Sequence, residues 1–534
     1  MEVSATRRWG AVAALALSVL VVGLDLTVLN LALPTLAREL HASTGDLQWF
    51  IAAYSLVVAG VLLPAGLLGD RLGRKKILIL ALIVFGASSA ACAYSGSAGE
   101  LIAARAVLGL GAAAILPLAL SVLPVLFTEE ERPRAIAAVS AAIFLSYPVG
   151  PILGGWLLDR FWWGSVFLIN VPVVIVAVVV VTLLMPESRS SERPRVDLIG
   201  MGISSLGLAA LTYGTIKAGE NGWGNPVALT GMLGGVAVLG LFVLWERAAG
   251  GRAVQPLVDL SLFRSARFTW GTVLTTAVSF AMFGILFAMP QYFQDVRGFN
   301  ALGSGFRLLP LILGMLVGLV LGGRLQEPRR KGPPTGDSVK PVARADAKLL
   351  VTVGFAVMAA ALAVGAFTKV SSGTGFAAAW FAVAGAGLGL AIPSAMNAAL
   401  GALSAERSGA GSALISAMRQ VGATIGVAVL GTVLNSVYRA QLHLNGLPPR
   451  VTDAVHDSVG VGVLVAHKLG SAPLLDAVRT AFVHGMDVML WVCAGLALAN
   501  ALLALAFLPR HASPARPAEG TVPAAATTAG KLEG

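Results

Sequence analysis

Charge is scarce in this 534-residue chain: only 12% of its residues are Asp, Glu, Lys or Arg, about half the fraction of a soluble globular protein. A large water-exposed domain cannot be built from that stock. Cysteine is scarcer. Cys92 and Cys493 both fall inside apolar runs, which excludes a disulfide framework and leaves no metal-ligand spacing. No Gly-Lys-Ser/Thr phosphate loop is present, so ATP-driven work is not expected. A Ser/His/Asp or Cys/His set at the end of an apolar run, as a lipid-processing enzyme needs, is also missing. No enzymatic activity, cofactor or metal is therefore expected. The alternation of a membrane β-barrel is absent too, so any spanning segment has to be a helix that satisfies its own backbone in lipid.

What is present is apolar and continuous. Hydrophobic residues make up 57% of the chain. From Ala11 to Leu33 the only charged side chain is Asp25, and from Ile77 to Tyr94 there is none. Such runs match the ~30 Å hydrocarbon layer when helical. Fourteen can be drawn, at 11–33, 47–68, 77–94, 101–123, 135–158, 164–185, 197–216, 226–245, 268–290, 301–323, 349–368, 375–400, 408–436 and 483–508. Arg7 and Arg8 precede the first run as in a signal peptide, but its length and lack of a cleavage site make it an uncleaved span.

The formal charge of +11 is a topology signal rather than a nucleic-acid surface. With both ends cytoplasmic, roughly two-thirds of the Lys and Arg fall on the inside, as positive-inside placement requires. Arg71–Lys76, Arg189–Arg195, Arg247–Arg267 and Arg324–Lys348 all lie on that side. The expected localisation is the cytoplasmic (inner) cell membrane, multi-pass. The Ala/Pro/Thr-rich 509–534 reads as a disordered cytoplasmic tail. Residues 437–482 read as an outside surface loop, with an interfacial helix over Val459–His467 as the other reading.

Internal symmetry divides the spans. Leu67-Leu68-Gly69-Asp70-Arg71-Leu72 resembles Val320-Leu321-Gly322-Gly323-Arg324-Leu325. At a second, common offset Gly109, Gly111 and Pro117 fall on Gly385, Gly387 and Pro393, and Gly150 and Gly155 fall on Gly426 and Gly431. The difference between the offsets fits an insertion in the basic loop after span 10. Repeats of this kind mark transporters. The expected architecture is all-α and integral to the membrane. Residues 1–185 form an N-terminal six-helix bundle and 186–267 a linker with two extra spans. Residues 268–508 form a C-terminal six-helix bundle with a long cytoplasmic loop, 324–348.

Several segments together resemble one family, the major facilitator superfamily, in its fourteen-span drug/proton antiporter branch (EmrB/QacA-like multidrug exporters). Gly66-Leu67-Leu68-Gly69-Asp70-Arg71-Leu72-Gly73-Arg74-Lys75-Lys76 is similar to the superfamily loop motif. Asp25-Leu26-Thr27-Val28-Leu29-Asn30-Leu31-Ala32-Leu33-Pro34 resembles the helix-1 motif of the branch. Arg105 to Gly111 resembles the helix-4 motif with Leu108 in place of a glutamine. Gly150-Pro151-Ile152-Leu153-Gly154-Gly155 resembles the antiporter helix-5 motif, departing at Ser146, where a glycine is expected. Phe167–Pro172 and Arg419-Gln420-Val421-Gly422 resemble further branch signatures. The resemblance implies the major facilitator fold, export by proton exchange and, for Gly66, Asp70, Arg71, Gly73 and Arg74, a gating role.

Physical reasoning adds roles. A carboxylate inside a span costs about 2.5–3.5 kcal/mol even on the lenient insertion scale, so Asp25 needs a partner or a wet cavity. Span 1 runs outward and span 4 inward, and at 1.5 Å per residue the depths of Asp25 and Arg105 permit a pair. The two are the expected proton-coupling residues, a fixed structural pair being the other reading. Gly150, Pro151, Gly154 and Gly155 allow close helix packing and are implied to seal against proton leak. Asn30, Tyr54, Tyr147, Arg419 and Gln420 are candidate cavity residues. Aromatic lining by Trp49, Phe144, Phe283, Phe287, Trp380 or Phe381 competes, residue by residue, with ordinary packing. His484 and Asp487 read as an interfacial polar pair at the start of span 14, with proton entry as the other reading.

The expected function is a proton-coupled antiporter that exports lipophilic drugs or antibiotics by alternating access, as a monomer. Its partners are a small lipophilic substrate, protons and membrane lipid, and no nucleic acid. With Asp25 the only deep acid of spans 1–6 and none expected in spans 9–13, substrates should be neutral or monocationic. Alternatives are a proton-coupled transporter of a narrow metabolite or nutrient, a sensor on the same fold and a polytopic membrane enzyme.

Overall fold

The computed structural model describes residues 5–189, 197–249, 258, 260–326, 346–403, 405–444 and 448–509. Among them 14 helices are long and apolar enough to cross a membrane, one for each run drawn from the sequence. The interior of the 324–348 loop, residues 190–196 and the tail from 510 lie outside the described residues.

The first six spans are α1 (Ala5–Glu39), α2 (Thr44–Leu72), α3 (Arg74–Ala93), α4 (Ala98–Leu126), α5 (Arg132–Arg160) and the pair α6 (Ser165–Leu168) and α7 (Asn170–Leu184). Two added spans follow, α8 (Leu198–Asn221) and α9 (Pro226–Ala249). The second half comprises α10 (Ala266–Gln291), α11 (Ala301–Gln326), α12 (Ala347–Gly365), α13 (Thr374–Leu400), α14 (Ala405–Gln441) and α17 (Ala472–Phe507). Between its last two spans stand the short helices α15 (Pro449–Asp457) and α16 (Val459–Lys468). An even number of crossings puts α1's start and α17's end on one face, called here the near face. The far face carries the α1–α2 turn and α15–α16.

Glycine contacts display the repeat. A Cβ on Gly109 of α4 would meet the Tyr54 carbonyl of α2, and one on Gly111 would meet Ala81 and Phe85 of α3. Their counterparts on α13 do the same one half later: Gly385 lies on Leu311 of α11 and Gly387 on Gly354 of α12. Gly150 of α5 packs on Thr27 of α1, and Gly426 of α14 on Phe280 of α10. With no Cβ, the backbones approach to contact distance, and dispersion between them replaces the hydrophobic drive that lipid does not supply.

The added pair is attached at the seam between the halves. α8 packs against both α2 and α14. Thr432 Oγ1 donates to the Thr215 carbonyl at 2.9 Å and Asn435 Nδ2 to that of Gly219 at 3.2 Å. α9 packs on α8 through Gly231 against Gly214, and its outer side chains Leu233, Val236 and Leu244 are exposed, as suits a lipid-facing surface.

Residues 437–482 are not a plain surface loop. α14 continues to Gln441 and α17 begins at Ala472, while α16 buries Val459, Val461, Val463 and Ala466. Ser458 caps α16 through the Val461 N–H, and Tyr438 Oη reaches the Val455 carbonyl at 2.8 Å. The valine-rich stretch is apolar because it lies on α1 and α17, neither in lipid nor in water. His484 and Asp487 accordingly sit well inside α17 rather than at its start.

Candidate functional site

The centre of the first half holds one ion pair. Arg105 is fully buried and Asp25 is 3% exposed. Arg105 Nη1 donates to Asp25 Oδ2 at 2.5 Å, and its Nε donates to the Phe50 carbonyl at 3.0 Å. Tyr54 lies under the guanidinium, 4.5 Å from ring centroid to Cζ. Tyr54, a sequence candidate for the cavity, thus packs on the ion pair as a fully buried side chain. A buried pair of this kind is costly to desolvate and costlier to break on one side, so either group's charge state is felt by three helices at once.

Two to five residues along α1 from Asp25 lies the wall of a cavity between the halves. Thr27, Asn30, Tyr147 and Pro151 face Met282, Leu286, Leu308, Ile312, Met315 and Leu388. A contiguous pocket adds Ser146 and Phe283. The lining is apolar apart from Thr27, Asn30, Tyr147 and Ser146. Asn30 Nδ2 donates to Leu26, but its buried Oδ1 has no partner. Phe287, Trp380 and Phe381 pack in the second half's core. Arg419 and Gln420 are half-buried on α14, with Arg419 Nε on Ser279 Oγ at 3.3 Å.

The α5 motif holds α1 and the opposite half together. A Cβ on Gly150 would collide with Thr27 Oγ1, and one on Gly154 would fall 2.7 Å from Val28. Gly155 and Pro151 face the second half: Gly155 against Ala301 and Leu302, and the Pro151 carbonyl against Gly305. The departure at Ser146 has a local solution, since its hydroxyl packs against Gly23 and donates to the Ile143 carbonyl at 2.6 Å.

On the near face, Asp70 and Arg74 pair at 2.8 Å, and Arg74 also donates to the Ser121 carbonyl of α4. Gly73 has φ +120°, which L-residues rarely adopt. Gly69 leaves room for Leu118. Gly66 approaches Pro117, and Arg71 points outward, exposed. Glu187 accepts from Lys75 N, joining the turn to the end of α7.

Contacts across the far face were not legible beforehand. The sequence reading ended span 9 at Pro290, but the chain continues through a π turn, Tyr292–Val296, and buries Asp295 at 2% exposure. Asp295 is the next-to-last residue of the Ala266–Val296 span, at its far end rather than deep within it. Arg38 Nη1 of α1 donates to Asp295 Oδ1 at 3.1 Å. Asp159, at the end of α5, accepts from Asn300 Nδ2 at 2.7 Å and from the Ala301 and Leu302 amides at 3.1 and 3.3 Å. Gln294 Nε2 reaches the Leu31 carbonyl, and Gln48 Nε2 reaches those of Val427 and Ala428. Among the described helices, the polar contacts joining the two halves all lie toward the far face. Outside the spans, burial raises the Asp457 carboxyl above its usual range against the pull of Arg439, and burial lowers His456.

Two repeated six-helix halves around a shared cavity define a membrane transporter. The profile of the Major Facilitator Superfamily matches residues 15–427, and the chain belongs to that family. It is 32% identical to the tetracenomycin C resistance and export protein of Streptomyces glaucescens, covering 98% of this chain and 96% of that protein. It is 31% identical to the multidrug efflux pump LfrA of Mycolicibacterium smegmatis (93% and 95%) and 31% identical to the methyl viologen resistance protein SmvA of Salmonella typhimurium (91% and 95%). Within the family it therefore falls with the drug-exporter branch. The fold also matches a bacterial homologue of the human lysosomal transporter Spinster, inward-facing and unoccupied, with TM-score 0.67, 19% identity and coverage of 96% and 100%. The inward-open xylose transporter XylE of E. coli aligns with TM-score 0.56 at 13% identity, covering 95% and 98%. The protein is a multi-pass membrane protein of the transporter class.

Proposed function

We propose that the protein is a proton-coupled antiporter, working as a monomer in the cytoplasmic membrane with both termini inside, that exports lipophilic drugs or antibiotics. The observation that carries this reading is the double duty of α1. Its inner face holds Asp25 against Arg105, and a few residues on its Thr27 and Asn30 form the cavity wall. A substrate pressing on that wall and a proton neutralising that carboxylate act on the same helix, so each alters the other's free energy. The three relatives named above are all called export, efflux or resistance proteins, and the apolar lining suits lipophilic compounds. With the near face inside, closure at the far face corresponds to an inward-facing state.

The wall contains no carboxylate, and Asp295 is engaged with Arg38, so neutral or monocationic substrates fit best. The domain limits 1–185, 186–267 and 268–508 follow the two repeats and the added pair. Asp70, Arg71 and Arg74, with Gly66 and Gly73, serve as the near-face gate, and the Gly150–Gly155 segment as the seal.

The test is dye efflux from a pump-deficient bacterial strain, with and without a protonophore, in wild type and Asp25→Asn. Efflux that stops with the protonophore and in the variant supports the reading. A well-expressed protein that moves none of a broad dye and antibiotic panel refutes broad export.

A further inference from the structure

We infer that two carboxylates, Asp159 of the first half and Asp295 of the second, latch the far face, and that their release is the step that opens it. The inference rests on the alternating-access reading above and names the residues that hold one of its two states.

The two contacts are reciprocal. Asp159 leaves its own half to accept from the first amides of α11, where helix N–H groups have no intrahelical partner and the helix dipole favours negative charge. Asp295 leaves the second half to meet Arg38 of α1. The π turn makes this possible: it carries the chain past Pro290 and turns Asp295 into the joint, and π segments recur at functional places in helices. The first turn of α16 lies over the same joint, with Gly460 close to both Ala37 and Asp295.

Such contacts suit a latch better than apolar packing does. Arg38 keeps 35% side-chain exposure and Asp159 is exposed, so water can take over from each partner when the halves part. The α11 amides are likewise served by water once Asp159 withdraws. Asp295 is the asymmetric member. Its Oδ2 already lacks a hydrogen-bond partner, so opening would hydrate an oxygen that the closed state leaves bare. The closed state is thus held without being made irreversible, which a cycling transporter requires.

The experiment is a distance measurement by double electron–electron resonance, made on the purified full chain in lipid nanodiscs without substrate. Spin labels go on Gly96→Cys and Ser371→Cys, in far-face turns of the two halves. The native cysteines are buried and take no label. Wild type should give one short distance. Asp295→Asn and Asp159→Asn should each add a longer population, the open-to-closed ratio rising roughly tenfold for each charge-assisted hydrogen bond lost. The exchange Arg38→Asp with Asp295→Arg should return the short distance. If Asp295→Asn does not fold, Arg38→Gln reads the same pair from its half-exposed side. Unchanged distributions in folded Asp159→Asn and in either Asp295→Asn or Arg38→Gln overturn the latch, even if the protein exports dyes. A protein that exports nothing in the panel yet shows the shifts keeps the latch and loses the drug-export reading.

Discussion

Gly155 of α5 and Gly431 of α14 hold equivalent places in the two repeats, and each presses on the half to which it does not belong. A Cβ on Gly155 would lie 2.5 Å from the Leu302 Cα, and one on Gly431 would collide with Gln48 Nε2. The symmetry is complete in position and incomplete in chemistry. One glycine meets backbone, the other the end of a flexible side chain.

That difference predicts unequal variants. Gly155→Ala must push α11 away, an overpacking cost of about 1–3 kcal/mol, all of it charged to the closed far face. Export should fall by about fivefold to somewhat over a hundredfold at that cost, and the far-face distance should lengthen. Gly431→Ala asks only that Gln48 rotate, losing its bonds to Val427 and Ala428, and should keep most of its transport. Equal loss in both variants would show that the seam is not where the two halves differ.

For the central pair, Asp25→Asn leaves Arg105 buried with an uncompensated charge. Breaking one side of such a pair costs about 3–5 kcal/mol, so the melting temperature of the purified protein should drop clearly and proton-driven efflux should stop. The double variant Asp25→Asn, Arg105→Gln removes both charges and should recover much of the thermal stability without recovering efflux. Recovery of both would make the pair structural only.

The cavity wall offers a gentler probe. Asn30→Leu removes the unpartnered Oδ1 and replaces it with apolar surface. For substrates that donate a hydrogen bond, the apparent KM should rise by roughly five- to tenfold, the worth of one neutral hydrogen bond, while wholly apolar substrates should be unaffected or bind more tightly. Parallel dose–response curves for one donor-bearing and one donor-free dye decide it.

At the near-face turn, Gly73→Ala forces a side chain into φ +120° and toward Glu187. A left-handed backbone costs an L-residue about 1–2 kcal/mol, so thermal stability should fall measurably. Gly96→Ala, in an exposed turn where φ is not positive, should not lower it. A melting curve of each variant settles the comparison.

Much of the fold was legible because lipid makes the code coarse. Long uncharged runs have one available structure, and all fourteen became spanning helices. The loop motif and the glycine offsets were legible for a related reason: close backbone approach and a positive φ require glycine, so the residue type announces the geometry. For Tyr54 no such signal exists, because an aromatic ring suits a cavity wall and an arginine stack equally well, and packing and lining stay open until its neighbours are known. Within residues 437–482 the helix at Val459–Lys468 is the second of the two readings that composition offered; that it rests on α1 and α17 was not legible, because a short apolar helix over other helices has the composition of an interfacial one.

What each segment must avoid is written along the chain: water for the runs, bare charge for Asp25, bulk for Gly150 and Gly155. Which groups from different halves meet is written nowhere along it and follows from how the bundles pack. Arg38 and Asp295 are far apart in the chain and each is unremarkable locally, as is Asp159 before the α11 amides. Their pairing depends on the packing angle of two bundles, and no local periodicity encodes that angle. The closure of the far face is therefore a property of the assembled halves.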